Sequence, residues 1–365
     1  MSAPVPAAPD LSGSSCLVLG GSGFVGRHMV DALLHAGAEV AVLNRGRTAS
    51  DLPDDVERLV ADRTDLAQMA DAVGGRDFDQ VYDVSGFVMA AGGTDIEGLV
   101  DLFDGRVGAY VYTSSIMAYD QSWAGVFPWR EDQPSNPEGA ASYGGFKAVA
   151  EAAMLERHAA TGFPVSVARP AAIYGPDNNI FDMETPMFLR LLQGRPILVP
   201  HGGLVVGSYG HVDDLCHTML LMATSTAAQG EIFNVSTDSV DVNRYIATLA
   251  DVVGAEPEIV LLDDDLVAEL AAGDGPSVYS HLFKTRHHAM MELSKVPSVL
   301  GHTPRYDLRA GHQHTYEWFC DRGWDQLDAP LDDPLWKQSW DFDAEAAVAE
   351  RARLAKRAGL AEGRG

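Results

Sequence analysis

A tyrosine and a lysine four residues apart are the side chains of this sequence whose spacing most clearly suggests chemistry. Tyr143 and Lys147 lie in the Ala-rich stretch Ser142–Ala160, whose pattern predicts a helix with both side chains on one face. A free tyrosine has a pKa near about 10 and is a weak base at neutral pH. A nearby ammonium favours the phenolate and lowers that pKa, so Tyr143 could exchange a proton with an alcohol or carbonyl oxygen.

Hydroxyl side chains precede this pair at the end of an apolar run. Thr113, Ser114 and Ser115 follow residues with a strand pattern, and Ser115 lies 28 residues before Tyr143. Ligands of open α/β sheets bind at the carboxyl ends of the strands, where a hydroxyl can stabilise charge on a reacting oxygen. We expect Ser115 to take that role, whereas Thr113 and Ser114 could simply cap the strand.

A glycine-rich loop lies near the amino terminus. Gly20, Gly23 and Gly26 separate the strand pattern Cys16–Leu19 from the helix pattern Phe24–His35. In dinucleotide-binding loops the first glycine permits a tight turn, the second lets backbone N–H groups approach a pyrophosphate, and the third allows close helix packing. The position between a strand and a helix favours this interpretation over an ordinary loop.

Two arginines follow the next strand pattern, Val40–Leu43. NAD-selective sites usually place a carboxylate here for the ribose 2′-hydroxyl, but this chain has Asn44, Arg45 and Arg47. Guanidinium groups suit a 2′-phosphate, so NADP(H) is favoured and NAD(H) stays possible. The arginines could also be ordinary surface charges. Farther along, the Asp62 carboxylate could accept a hydrogen bond from the adenine amine.

Apolar runs alternate with helical patterns through the first half of the chain, which predicts crossover units and a parallel sheet. The expected fold is an α/β Rossmann domain, a doubly wound parallel sheet, with a smaller C-terminal α/β substrate lobe. We expect the segments to divide as follows: a disordered tail over 1–13, the Rossmann domain over 14–175 with 211–236 returning to it, the substrate lobe over 176–330, and a helical tail over 331–365. The segment 177–210 reads as irregular, with scattered Gly and Pro.

Together these residues resemble the extended short-chain dehydrogenase/reductases, in particular the NAD-dependent epimerase/dehydratase family. The resemblance spans about residues 14 to 320 and includes its atypical, NADP-preferring branch, to which chloroplast stem-loop RNA-binding proteins belong. The supporting phrases are Gly20–Gly26, Asn44–Arg47, Tyr112–Ser115, Tyr143–Lys147, Arg169-Pro170, Tyr174-Gly175-Pro176, His211–Leu215, Phe233-Asn234-Val235 and Leu300-Gly301 with Pro304.

The resemblance implies roles for particular residues. Ser115, Tyr143 and Lys147 would form the catalytic set. The expected cofactor contacts are Gly20, Ser22, Gly23, Phe24, Val25, Asn44, Arg45, Arg47, Asp62, Ser85, Thr113, Tyr143, Lys147 and Pro170. The expected substrate contacts are Ser115, Ile116, Met117, Asn178 and Tyr209, and the polar candidates His201, Asn179 and Arg190 lie in the same segment. A homodimer is expected through the helix that carries Ala148, Ala152 and Leu155.

Departures from the family pattern narrow the chemistry. Dehydratases carry an Asp-Glu pair just after the catalytic hydroxyl residue, and here Ile116 and Met117 stand there, so sugar 4,6-dehydration is not expected. The Asn and Arg of many nucleotide-sugar members would align with Ala172 and Gly207. These replacements put a nucleotide-sugar substrate in doubt.

Composition excludes several function classes. The chain has 365 residues, 46% of them apolar, and 52 acidic against 26 basic residues give a formal charge of −26. Such a field repels phosphate backbones and anionic lipid heads, so we expect neither nucleic acid nor membrane as a partner. Three widely spaced cysteines do not suggest disulfides, and neither a signal peptide nor a transmembrane run is recognised, so a cytoplasmic protein is expected.

The histidines late in the chain lack the spacing of a metal site, and no metal is expected. The sequence therefore predicts an NADP(H)-dependent oxidoreductase acting on a sugar-like or polyhydroxylated alcohol or ketone. An epimerase that oxidises and re-reduces one substrate with a retained cofactor would use the same residues. A non-catalytic RNA-binding or cofactor-sensing member is the third possibility.

Overall fold

The structure, a computed structural model, describes residues 8–47, 52–85, 95–122, 127–178, 183–272, 287–326 and 340–362. The chain divides into two compact units. Unit 1 comprises residues 1–173, 210–237 and 291–305, and unit 2 comprises 174–209, 238–290 and 306–365. Among the described residues, no helix is long and apolar enough to cross a membrane.

A seven-stranded sheet forms the centre of unit 1, and its neighbouring strands all pair in parallel. Its strands are β1 (Ser15–Leu19), β2 (Glu39–Asn44), β3 (Glu57–Val60), β4 (Phe78–Asp83), β5 (Val107–Thr113), β6 (Val165–Pro170) and β10 (Ile232–Val235). The spatial order is β10-β6-β5-β4-β1-β2-β3. Chain order reverses direction at β1, between β2 and β4, which is the switch point where ligands bind in such sheets. The predicted parallel Rossmann sheet is confirmed.

Helices supply the crossovers between these strands. They are α1 (Phe24–His35), α2 (Leu66–Val73), α3 (Ile96–Phe103), α4 (Tyr143–Thr161) and α6 (Val212–Thr224). Asp65, Asp95 and Ser142 accept hydrogen bonds from first-turn amides of α2, α3 and α4, which explains where these helices begin. Buried apolar side chains of the strands and of α2, α3 and α4 form one core, including Met69, Leu99 and Met154, on the sheet face that these three helices cover. Because the strands must keep their apolar side chains on this covered face, their register is fixed, and with it the residues that end each strand.

Unit 2 has its own strands and helices. Strand β7 (Ala172–Tyr174) spans the chain boundary between the units. Strand β9 (Val206–His211), which lies mostly in unit 2, pairs antiparallel with β11 (Asp238–Asp241), and β8 (Pro196–Val199) pairs in parallel with β12 (Glu258–Leu261). The helices are α5 (Glu184–Leu192), α7 (Val242–Val253), α8 (Asp264–Ala272), α9 (Leu308–Asp321) and α10 (Phe342–Glu362). The segment 177–210 thus contains regular structure, contrary to the sequence-based expectation. Pro186 lies in the first turn of α5 and Pro196 begins β8, which are positions that tolerate proline, and Gly207 and Gly210 lie within β9.

Both chain termini differ from expectation. Residues 8–13 are not disordered: Leu11 is buried, and its amide donates to the Ala36 carbonyl at 2.8 Å. The expected helical tail belongs to unit 2, where Glu345 of α10 forms a buried ion pair with Arg190 of α5 at 2.7 Å. Arg190, a polar candidate for substrate contact, is thereby committed to a structural pair. A third stretch, 291–305, joins unit 1 in addition to the expected return of 211–236.

Candidate active site

The glycine loop after β1 has the geometry that a dinucleotide pyrophosphate requires. Gly20 has φ +97°, and a Cβ there would lie 2.8 Å from the Cβ of Ser85. A Cβ on Gly26 would lie 2.2 Å from the Gly20 carbonyl oxygen, so this glycine lets α1 pack against the loop itself. A Cβ on Gly23 would meet nothing within 4 Å, and this residue begins α1 without a side-chain cap. The first-turn amides of α1 therefore face open space, which fits an anion.

Other expected cofactor contacts lie around this loop in unit 1. Ser22 and Val25 are half-buried and Phe24 is buried at the start of α1, while Pro170 ends β6, opposite Val235 in register. Ser85 lies two residues after the end of β4, beside Gly20. The carboxyl ends of β1, β4 and β6 thus bring these residues to one edge of the sheet, although their contact with a cofactor stays a prediction.

Two arginines directly after β2 have solvent-exposed side chains. Arg45 and Arg47 are exposed, whereas the Asn44 side chain accepts a hydrogen bond from the Gly46 amide at 2.9 Å and so shapes the turn. Hydrogen bonds from the Thr64 amide and hydroxyl lower the pKa of Asp62, with a smaller contribution from the two arginines. The arginine charges and the Asp62 carboxylate therefore share one surface at the ends of β2 and β3.

The tyrosine and the serine of the expected catalytic set contact each other. The Ser115 hydroxyl forms a hydrogen bond with the Tyr143 phenol, and Ser115 also accepts the Met117 amide at 3.1 Å. Burial raises the pKa of Tyr143 to about 12, and the Ser115 hydrogen bond opposes this shift. The phenol is therefore protonated at neutral pH, and burial rather than Lys147 is the largest influence on its pKa, contrary to what the sequence suggested.

Lys147 is buried in the Rossmann unit. Its side chain is 1% exposed, and its ammonium donates to the Thr113 carbonyl at 2.5 Å. The ammonium lies 4.7 Å from the ring centroid of Tyr112 and 5.8 Å from that of Tyr143. Burial lowers the pKa of Lys147 to about 8. The one-turn spacing on α4 was therefore informative about proximity, while the partner of the ammonium is a strand carbonyl.

A buried ion pair beneath this site was not expected from the sequence. Arg63 donates to both carboxylate oxygens of Asp83, at 2.6 Å to Oδ2, and also to the Ser85 hydroxyl at 2.6 Å. The Tyr110 hydroxyl donates to the same carboxylate at 2.9 Å. Asp83 is the last residue of β4 and the register partner of Tyr112. An acidic residue that closes an apolar strand pattern was the signal available, but nothing in the sequence pointed to its partner.

Comparisons with known proteins agree with this arrangement. The model of the NAD dependent epimerase/dehydratase family matches residues 16–236. The chain belongs to this family. It is 27% identical over 322 residues to the chloroplast stem-loop binding protein of 41 kDa b of Arabidopsis thaliana (84% of this chain, 79% of the relative). It is 28% identical over 335 residues to a dTDP-glucose 4,6-dehydratase of Streptomyces antibioticus (84% and 93%).

A solved structure supports the fold. UDP-glucose 4-epimerase from Thermotoga maritima superposes with a TM-score of 0.70 at 22% identity, covering 84% of this chain and 99% of that one. The resemblance to the epimerase/dehydratase family inferred from the sequence is thereby confirmed, and the chain is an enzyme of this NAD-dependent family.

Two motifs of this epimerase/dehydratase family member have structural roles. His211 caps α6 by accepting the Asp213 amide, and buried Asp214 accepts the Arg305 amide at 3.0 Å. Asn234 accepts the Tyr119 hydroxyl at 2.7 Å and donates to the Trp129 and Glu292 carbonyls. These contacts tie 291–305 to the Rossmann unit, which explains why the stretch returns to it.

The expected substrate contacts fall in both units. In unit 1, Ile116 and Met117 directly follow Ser115, and the Met117 side chain is 43% exposed. In unit 2, Tyr209 is buried and stacks on Tyr245 at 4.8 Å, and the buried Asn178 amide donates to Glu184 at 3.2 Å. Asn179 lies outside the described residues. Packing accounts for Tyr209 and Asn178 within unit 2, and their contact with substrate stays a prediction.

Glu184 makes the stability of unit 2 depend on pH. This carboxyl is buried, and burial raises its pKa to about 7 despite hydrogen bonds from the Gly175 amide and Asn178. The folded state then binds the proton more tightly than the unfolded state, so stability falls as pH rises from about 4.5 to about 7, by up to about 3 kcal/mol. We expect chemical denaturation of Glu184→Gln at pH 5 and pH 8 to show a smaller decline than the wild type. An equal decline in both proteins would assign the pH dependence to other groups.

Proposed function

We propose that this family member is an NADP(H)-dependent oxidoreductase that transfers a hydride to or from a sugar-like or polyhydroxylated alcohol or ketone. The observation that carries the proposal is the Ser115–Tyr143 hydrogen bond, at the sheet edge where the Gly20–Gly26 loop also lies. A proton donor beside a dinucleotide loop is what carbonyl reduction requires.

The described side chains divide the work of that reaction. The bound nicotinamide would supply or accept the hydride. Tyr143 would give a proton to the substrate oxygen in reduction or take it in oxidation, and Ser115 would donate a hydrogen bond to the same oxygen as charge develops. Lys147 would hold positive charge below the phenol and fix the end of β5 through the Thr113 carbonyl. A raised pKa keeps Tyr143 protonated and ready to donate, which favours the reductive direction.

Arg45 and Arg47 support the preference for NADP(H). Both are exposed at the end of β2, and neither forms an ion pair with a described carboxylate within 4.0 Å. Two guanidinium groups without committed partners can meet a 2′-phosphate with charge-assisted hydrogen bonds. The absence of a carboxylate at Asn44 removes the usual contact to the 2′-hydroxyl of NAD.

Similarity to dehydratases does not transfer their reaction. Ile116 and Met117 stand where those enzymes carry their Asp-Glu pair, and neither side chain can move a proton. An epimerase would use Ser115, Tyr143 and Lys147 in the same way but would keep its cofactor through the cycle. Cofactor retention therefore separates the two reactions.

A role in RNA binding is the remaining alternative, favoured by similarity to the chloroplast stem-loop binding protein. The formal charge of −26 opposes contact with a phosphate backbone. Since the proposed catalytic set is intact here, we favour the enzyme.

Native mass spectrometry of the purified protein, with NADPH, NADH or a stem-loop RNA added, tests the proposal. We expect an initially empty protein, the mass of a homodimer, uptake of NADPH in preference to NADH, and no RNA complex. A cofactor retained through purification would favour the epimerase reaction. An RNA complex without dinucleotide uptake would overturn the proposed oxidoreductase function.

The arginine pair provides a sharper test of cofactor choice. Replacing Arg45 and Arg47 together with glutamine should raise the NADPH Kd about tenfold or more and change the NADH Kd little, because only the 2′-phosphate contacts are removed. Fluorescence titration measures both constants. Arg76→Gln is the matched control, since Arg76 is also exposed but precedes β4, at the amino ends of the strands. Equal losses for both dinucleotides would refute the assignment.

A further inference from the structure

Several buried charged groups lie around the Lys147 ammonium. This ammonium is buried and donates a hydrogen bond to a neutral carbonyl, that of Thr113. Burial of an uncompensated ammonium is costly. The charged and titratable groups that surround it come from four elements: Asp83 on β4, Arg63 after β3, Tyr112 on β5, and Tyr143 and Glu151 on α4.

Asp83 is the carboxylate placed most rigidly within this set. Arg63 holds both of its oxygens, the Tyr110 hydroxyl donates to Oδ2 at 2.9 Å, and the Ser85 hydroxyl donates to Oδ1 at 3.2 Å. Its side chain is about 1% exposed. The strand register sets Asp83 beside Tyr112, whose ring faces the Lys147 ammonium.

The charges near Lys147 act in opposite directions. Burial is the largest influence and lowers the pKa of Lys147; the Asp83 charge raises it, and the Arg63 charge lowers it. Glu151 also raises it, although less than Asp83, and its carboxylate is engaged by Arg169 at 2.5 Å. Asp83 is therefore the principal group that opposes the cost of burial.

We propose that Asp83 is a positioning residue that holds the Lys147 ammonium in its charged form, and that Arg63 limits this effect while fixing the carboxylate in place. The same pair reaches the dinucleotide loop, because Arg63 donates to Ser85, which packs against Gly20. The effect of Asp83 on turnover rests on the proposed function, whereas its effect on the charge of Lys147 does not.

Lysine-selective NMR can measure this charge directly. The chain has five lysines, Lys147, Lys284, Lys295, Lys337 and Lys356, so ¹³Cε labelling gives few signals, and Lys147→Met identifies the relevant one. Titrating the wild type should give a midpoint near 8 for Lys147. Asp83→Asn should lower the midpoint by about one pH unit, Arg63→Met should raise it, and the double variant should fall between Asp83→Asn and the wild type.

The double variant also guards against misfolding. Removing one partner of a buried pair leaves the other charge without its counterion and can unfold the protein, whereas removing both charges is tolerated far better. Asp79→Asn, an exposed carboxylate on the same strand, is the matched control and should leave the midpoint unchanged. A purely structural pair would not move the midpoint in opposite directions.

Two results would overturn the proposal: single variants that shift the midpoint in the same direction, or a double variant whose midpoint equals or exceeds that of the wild type. NADPH titration of the same samples separates this proposal from the proposed function. If the single variants shift the midpoint in opposite directions but the protein binds no dinucleotide, the role of Asp83 stands and the proposed NADP(H)-dependent function is rejected. If the midpoints do not change but the protein binds NADPH, the role of Asp83 is rejected and the proposed function stands.

Discussion

Replacing Tyr143 with phenylalanine is expected to lower kcat by about 10²–10⁴-fold, because a positioned acid or base contributes about that much. The substitution removes only the hydroxyl that hydrogen-bonds Ser115. The ring remains to pack above Lys147, so NADPH affinity should stay within about twofold of the wild-type value. A loss in kcat without a loss in cofactor binding is what distinguishes a proton donor from a residue that shapes the cofactor site.

The measurement requires a substrate, which a panel of aldoses, ketoses, polyols and aminocyclitols should supply through the change in nicotinamide absorbance. Tyr82→Phe is a matched control, since it also removes a buried hydroxyl from unit 1, one that donates to Gln80 at 2.6 Å. That variant should turn over normally. Full activity of Tyr143→Phe on a substrate of the wild type would remove Tyr143 from the mechanism.

The pH dependence of that activity follows from the same phenol. Its pKa near 12 leaves it protonated across the neutral range, so carbonyl reduction needs no prior change of protonation at Tyr143. Alcohol oxidation needs the phenolate, and a cationic ring bound nearby would lower the pKa. The sequence suggested that the Lys147 ammonium lowers this pKa; the structure assigns burial, which raises it, the larger effect.

What could be predicted from the sequence depended on local spacing. The glycines at 20, 23 and 26, and the tyrosine one helical turn before Lys147, each lie within a single element or its boundary. Their geometry follows from helix and turn periodicity, which sequence displays directly. Parallel strands then bring their ends together at one sheet edge, so the fold and the proximity of Ser115, Tyr143 and Lys147 could be predicted together, while their catalytic roles stay a prediction.

The features that sequence did not reveal join residues far apart in the chain. Arg63 and Asp83 are 20 positions apart, and Arg190 and Glu345 are 155 apart. No periodicity specifies which buried cation meets which carboxylate, because that choice depends on how elements pack. Asn178 is an example: its polarity suggested contact with a ligand, whereas in the structure its side-chain amide donates a hydrogen bond to Glu184.

The two later glycines of the phosphate loop should respond differently to the same change, and this contrast locates the dinucleotide. Gly26→Ala places a Cβ 2.2 Å from a backbone oxygen and 2.8 Å from the Gly21 Cα, so the loop must move. We expect it to lose both thermal stability and NADPH binding. Gly23→Ala places its Cβ in open space at an ordinary φ of −122°, so the unliganded fold should lose less than about 1 kcal/mol.

NADPH affinity should nevertheless fall about tenfold or more in Gly23→Ala, because the added methyl group would occupy the space through which a pyrophosphate approaches the first-turn amides of α1. Thermal unfolding with and without NADPH measures both quantities in one experiment, and each variant is the control for the other. A Gly23→Ala protein with wild-type stability and no stabilisation by NADPH would place the phosphates at the amino terminus of α1. Undiminished stabilisation would show that the dinucleotide lies elsewhere, and the proposed hydride transfer beside Tyr143 would then lose its cofactor.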